Sequence, residues 1–213
     1  MKKFILNRFT LVIFLLILFI FVSALSYATN VSANLADSVF RLHVIANSDT
    51  DADQNLKYIV RDKVIEYMET ICEDGLTKED YIKLASNNLE NIKKVAQDTI
   101  LENGYNYEIN VSIGNFEFPT KTYGDVSFPA GFYDALRIEI GNASGQNWWC
   151  VMFPPLCFVD VTSGIVPEES KETLKEDISA EEYDLITSAN TEVKFKFKIV
   201  EMFQSWGLVA SKM

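Results

Sequence analysis

The chain has 213 residues, enough for one medium domain or two small ones, and its 30 acidic against 19 basic side chains give a net charge of −11. That balance argues against a nucleic-acid binder, whose phosphate contacts are driven by Lys and Arg, and against peripheral attachment to anionic lipid. It fits a soluble protein, or one with a basic protein partner.

The first 28 residues stand apart. Lys2, Lys3 and Arg8 form a basic head, and Phe9 to Val22 is almost wholly apolar. Ser26, Tyr27 and Ala28 then offer small residues at the usual cleavage spacing. This is the layout of a secretory signal cut after Ala28. An uncleaved membrane anchor is the alternative, since Phe9 to Leu25 is near the ~18-residue lower limit for a spanning helix. In either case the basic end stays inside and residues 29–213 are exported as one domain. That domain keeps 16 basic and 30 acidic side chains, a net −14.

Val39 to Ala46 alternates, with Phe40, Leu42, Val44 and Ala46 on one face and Arg41 and His43 on the other, as a half-buried strand does. An amphipathic helix is expected from about Asp53 to Ile71. A second should start at Thr77, capped there with Asp80 three residues on, and run to Ile100 before a stop at Gly104. The pattern then changes from a period of 3.6 to a period of 2. Tyr105, Tyr107, Ile109, Val111 and Ile113 mark a strand, and a short one around Phe116 to Tyr123 is plausible. Leu136, Ile138 and Ile140 mark another, and "GNASG" (Gly141 to Gly145) is a turn. "QNWWCVMF" reads as the returning strand of a hairpin, apolar on both faces and therefore central or covered by a helix. Residues 167–182 form a polar surface segment with short helical turns. Residues 191–206 suit a strand or a helix, and their length favours helix. The expected fold is α+β, an antiparallel sheet of about four to five strands with two or three packed helices.

Chemistry is sparsely signalled. His43 is the only histidine, which excludes a multi-histidine zinc site, and no cofactor or metal is expected. His43 could pair with Cys150 or Cys157 as an envelope Cys–His hydrolase, but no local motif supports this, and a polar histidine on the outer face of a strand is the plainer reading. A structural envelope protein is a third class. Cys150 and Cys157 flank Pro154 and Pro155 and could bridge in an exported protein, or remain two buried thiols. Phosphate-binding glycine loops are absent.

Two stretches, "RLHVIANSDTDADQNLKYIVRDKV" (Arg41 to Val64) and "NWWCVMFPPLCFVD" (Asn147 to Asp160), closely resemble the stage II sporulation protein R family of endospore-forming bacteria. The resemblance implies a signalling protein and not an enzyme. Such proteins are made in the forespore and exported into the space between the forespore and mother-cell membranes. There they switch on a membrane-embedded aspartic protease, stage II sporulation protein GA, which cleaves the precursor of the mother-cell sigma factor E. The resemblance supplies no catalytic residues. Arg41, His43, Asn47, Asp49, Trp148, Trp149 and Pro155 are the candidate partner contacts.

Asp49, Asp51 and Asp53 in "NSDTDADQ" open like a calcium loop, but Gln54 stands where the loop needs Gly, and Val60 where it needs a bidentate Glu. The stretch reads better as a strand-to-helix corner. Asp51 is expected to cap the helix with Gln54 reaching back, and Asn47, Ser48 and Asp49 to face outward beside Arg41 and His43.

Overall fold

The computed structural model describes residues 2–73, 75–154, 166 and 168–187, with the backbone alone for residues 2–7, 25, 28, 29, 168 and 169. Its centre is a strand, β1 (Phe40–Ile45), all six residues of which are buried. β1 lies inside a four-stranded sheet of order β2-β5-β1-β6, where β2 is Ile109–Phe118, β5 is Gly131–Ile140 and β6 is Asn147–Phe153. β1 runs parallel to β5 and antiparallel to β6, and β2 pairs antiparallel with β5. The α+β class is as expected, with one parallel pairing that makes the sheet mixed.

Two expectations change here. β1 is not half-buried, because strands flank it on both sides and its polar face is covered as well. Nor do β5 and β6 form a hairpin, because β1 is inserted between them. The six residues between them, 141–146, bridge the ~10 Å across two strand spacings. They do so by crossing the end of β1, with the Gly145 amide donating to the Ala46 carbonyl at 3.0 Å and the Ser144 amide to the Asn47 carbonyl at 3.3 Å. Alternation with a turn between looks the same in sequence whether the two strands pair directly or straddle a third.

One face of the sheet is apolar. Leu42, Val44, Leu136, Ile138 and Cys150 pack there under α2 (Asp51–Ile71), α3 (Lys78–Asn87) and α4 (Leu89–Glu102). α2 contributes Leu56, Val60, Val64 and Met68, the expected stripe, and α4 contributes Ile92, Ala96 and Ile100. Thr77 caps α3 in the capping box foreseen with Asp80. The helix expected to run on to Ile100 is broken at Asn88. Its backbone amide and its side-chain Nδ2 both donate to the Leu84 carbonyl, at 3.1 and 2.9 Å. An asparagine offering its own side chain to the turn competes with the continuing helix. α4 closes where Gly104, at φ +82, lets the Tyr105 amide reach the Ile100 carbonyl and the Gly104 amide the Leu101 carbonyl, at 3.1 and 3.0 Å. A β-bulge between Phe40 and Arg41 turns Phe153 to the helix side, where Tyr81 meets both Phe40 and Phe153.

A smaller layer covers part of the other face. The hairpin β3 (Lys121–Tyr123) and β4 (Val126–Phe128) forms its own two-stranded sheet. Asp125 in its turn accepts from Lys171 at 2.7 Å and from the Val166 amide at 3.0 Å, tying the hairpin to α5 (Glu168–Asp177), which α6 (Ala180–Thr187) follows. The N-terminal helix α1 (Lys2–Ser38) ends in the same layer, with Val31, Leu35 and Val39 buried at intervals of four. Phe9 to Val22 is exposed throughout, and among the described residues no helix is long and apolar enough to cross a membrane. Residues 191–206 lie outside the described residues.

The crossing over β1 predicts a specific sensitivity. A Cβ at Gly145 would overlap the Ser48 carbonyl, a backbone group that cannot step aside. Gly145→Ala should therefore cost about 2–3 kcal/mol in denaturant unfolding, at the upper end of overpacking effects. Ser144→Ala, which removes only an exposed hydrogen bond to the Asn47 carbonyl, should cost under about 1 kcal/mol.

Candidate partner-binding surface

The candidate residues divide among three environments. Asn47 and Asp49 belong to the corner between β1 and α2. The N-cap of α2 is Thr50 and not Asp51, and its hydroxyl accepts from the Asp53 amide at 3.3 Å. Thr50 reaches this position because the strand leaves the sheet one residue earlier than the sequence pattern suggested. Gln54 reaches back as expected, but to the Ser48 carbonyl, at 2.9 Å. Asn47 and Ser48 do not face outward. Asn47 Nδ2 donates to the Asp53 carboxylate at 2.8 Å while its Oδ1 accepts from the Asn142 amide at 2.9 Å, and Ser48 Oγ also donates to Asp53. Asp49 is exposed, yet its Oδ1 accepts from the Gln146 amide at 2.7 Å. Burial pushes the Asp53 carboxyl up, but hydrogen bonds from Ser48, Asn47, Tyr107 and Thr50 outweigh it and hold the group below the usual carboxylate range. The three aspartates therefore do not converge. Among the described residues no group of three or more His, Cys, Asp or Glu is placed to hold a metal ion.

Trp148 lies on the helix side of β6. Its ring meets Tyr58 edge-on at 5.4 Å, and the Arg61 guanidinium sits 4.2 Å over it. Its Nε1–H is buried and has no acceptor among the described residues. Tyr58 is 37% exposed, so this aromatic and cationic cluster opens at the surface of α2.

Arg41, His43 and Trp149 share the opposite face. Arg41 is fully buried. Its guanidinium lies 4.2 Å from the Phe118 ring centre, 4.7 Å from Tyr133 and 5.6 Å from Phe128. One nitrogen, Nη2, donates to the Tyr123 hydroxyl at 2.8 Å, and that hydroxyl donates on to the Trp149 carbonyl at 2.9 Å. Among the described residues Nε and Nη1 have no acceptor and no carboxylate pairs with the group. Sequence reasoning missed this aromatic enclosure because its members come from three separate segments. The only hint was a cation in an apolar strand.

His43 is buried, not placed on an outer face. It stacks on Trp149 at 3.8 Å with 16° between planes, and shares a 2.7 Å hydrogen bond between Nε2 and Asn147 Oδ1. Burial lowers its pKa to about 4 against the raising effect of the Asn147 bond, with the Arg137 charge also lowering it. The imidazole is neutral at pH 7. Beside it, Arg137 pairs with Glu139 at 2.6 Å, and Asn110 donates to the same carboxylate at 2.8 Å.

The thiols stand away from this imidazole. Cys150 pairs with Leu42 in the sheet, on the helix side, and is disulfide-bonded. Cys72 is a free thiol at the end of α2, raised by its burial. Cys157 and Pro155 lie outside the described residues.

The neutral His43 makes a pH signature. Its folded pKa, about 4, lies below its unfolded value near 6.5, so the unfolded chain binds the extra proton in that window. The contribution is full above about pH 6.5 and is lost as pH falls towards 4, amounting to about 3 kcal/mol. Urea unfolding between these pH values should show that slope in the wild type. His43→Gln should flatten it, while the carboxylate-linked loss that starts near pH 4 persists.

Residues 36–163 match the family model described as stage II sporulation protein R. The stage II sporulation protein R of Bacillus subtilis (strain 168) is 39% identical over 176 residues, which span 76% of this chain and 79% of that protein. No solved structure matches. With the β1–α2 corner and β6, which carry the shared motifs, both inside the matched region, the chain belongs to the stage II sporulation protein R family.

Proposed function

We propose that this protein acts as an exported signal of endospore formation. It leaves the forespore for the space between the forespore and mother-cell membranes. There it activates the membrane-embedded aspartic protease, stage II sporulation protein GA, which then cleaves the precursor of sigma factor E. A sporulation role comes with the family. The observation that carries the reading is the 39% identity to the Bacillus subtilis protein across most of both chains.

The site geometry supports action by binding and not by covalent chemistry. The rival hydrolase needs an imidazole against a thiolate. His43 instead faces Trp149 and Asn147, and Cys150 sits on the other side of the sheet with its sulfur already bonded. The remaining thiol, Cys72, has its pKa raised, the wrong direction for a nucleophile. What the corner and β6 do offer is a rigid surface, since Asn47 and Ser48 donate to Asp53, Gln54 donates to the Ser48 carbonyl and the Gln146 amide donates to Asp49. Groups held this way lose little entropy on binding.

Co-expression with the protease and the sigma precursor in a non-sporulating host tests the reading. Cleavage should appear only when this protein is present and exported, and Cys72→Ser should cleave as well as the wild type. Cleavage in its absence, or from protein retained in the cytoplasm, would overturn the reading. Trp148→Ala should lower cleavage by about tenfold or more, as expected for an aromatic contact residue, while Tm is measured alongside to separate recognition from folding.

A further inference from the structure

The bond after Ala28 lies inside a helix and beside the folded domain. α1 runs without interruption from Lys2 to Ser38, so the backbone of Ser26, Tyr27 and Ala28 is helical. Val31, three residues beyond Ala28, is the first of the side chains seated in the domain, and Leu35 and Val39 behind it are fully buried. Separate parts of the chain make the seat. α1 packs on β5 and α6. Lys78, at the start of α3, donates to the Asp37 carbonyl at 2.9 Å and to Asp134 of β5 at 2.8 Å. Ser38 Oγ donates to Glu182 of α6 at 3.4 Å, and the Ser179 amide holds that carboxylate at 2.8 Å. The seat therefore exists only once α3, β5 and α6, spread over residues 78–187, have come together.

A protease cuts chain that is drawn out. Folded proteins are nicked where the backbone is exposed and unstructured, and a protected bond is cut only in the fraction of molecules that open. Drawing residues 26–30 out of the helix lengthens them from about 7.5 Å to about 17 Å. It also breaks the hydrogen bonds that their carbonyls accept from the amides of residues 30–34, which reach into the seated part. Thr29 and Asn30 alone separate the bond from Val31, and fully extended they reach only about 7 Å. A cleft that must hold chain on both sides of the bond meets the folded domain there.

We propose that folding of the domain closes the cleavage site after Ala28. A signal peptidase cuts the chain while it is still unfolded, and a copy that folds first keeps its N-terminal segment. The seat of α1 is the gate. Occupied, it holds the bond helical and close against the domain; empty, it lets the bond be drawn out. The proposal rests on the reading of residues 1–28 as a secretory signal and adds an order to it, cutting before folding. That order decides whether the folded protein carries the segment, because a folded, uncut copy is no longer a good substrate.

A purified bacterial signal peptidase, added to the folded full chain in detergent, tests this, with the cut mapped by mass spectrometry. The wild type should be cut at least about tenfold more slowly than a variant with six glycine and serine residues inserted between Asn30 and Val31. The insertion gives the bond a flexible spacer and leaves the seated side chains in place. Its melting temperature, measured alongside, should stay close to that of the wild type. Leu35→Asp, which puts a charge into the seat, should also be cut about tenfold faster or more. Equal rates for the wild type and the insertion variant would overturn the proposal and leave the secretory signal standing. No cut after Ala28 in any of the three chains would overturn both. Protease activation is read separately by the co-expression experiment, and neither result here depends on it.

Discussion

The buried charge of Arg41 is the constraint around which the open face of the sheet is built. Taking a guanidinium out of water costs several kcal/mol, and no carboxylate among the described residues offsets it. The offset comes from rings and one hydroxyl. Three aromatic faces within 5.6 Å each supply a cation–π attraction of up to about 2 kcal/mol when desolvated, and a hydrogen bond to a charged donor adds about 1.5–3. These contacts require Phe118 at the end of β2, Tyr133 on β5, and Tyr123 and Phe128 on the small hairpin to arrive together. The β3–β4 hairpin has no pairing with the main sheet, and the charge of Arg41 gives it a reason to lie where it does. Through Asp125 the hairpin is fixed to Lys171, and the constraint extends to the C-terminal helices.

The same face explains what could be read in the sequence and what could not. Local signals were dependable. The Thr77 capping box, the stop at Gly104, the apolar stripe of α2 and the alternation of Ile109 to Ile113 each depend on residues within a turn or two of one another. The misreadings concerned β1 and its neighbours. Arg41 and His43 alternate with apolar residues, which normally marks a wet face, and only the distant Phe118, Trp149 and Tyr123 make that face dry. A hairpin between β5 and β6 was likewise the simplest local solution, and the strand inserted between them comes from nearly a hundred residues earlier. Asn88 and Thr50 were smaller misses, both cases where a polar side chain took a backbone group that the periodic pattern had assigned elsewhere.

The two faces of the sheet have different roles in consequence. The helix side is an ordinary apolar core, tolerant of aliphatic exchange of equal volume. The open side depends on specific partners: Trp149 under His43, Asn147 on its ring nitrogen, Glu139 against Arg137. Substitutions there remove a polar partner from a buried group, which costs more than removing both members would. The corner beyond β1 extends this rigidity to the surface, because Asn47 and Asp53 link β1, α2 and the 141–146 crossing. Residues that look like surface contacts in sequence, Asn47 and Asp49 among them, thus hold the frame on which exposed neighbours such as Asp51 and Asn142 are displayed.

The last turns of α1 connect this frame to the apolar run of Phe9 to Val22. Val31, Leu35 and Val39 are seated in the domain, Lys78 binds both the Asp37 carbonyl, at 2.9 Å, and Asp134, at 2.8 Å, and Ser38 reaches Glu182. The seated part begins only three residues after Ala28, so a cut there leaves the docked turns intact and costs the fold none of their burial. If the segment is retained, the consequence is mechanical. The helix continues without interruption from the apolar run into the domain, and the nine residues from Val22 to Val31 span only about 14 Å. The apolar run and the seated turns are therefore parts of one continuous helix, which fixes the distance between them.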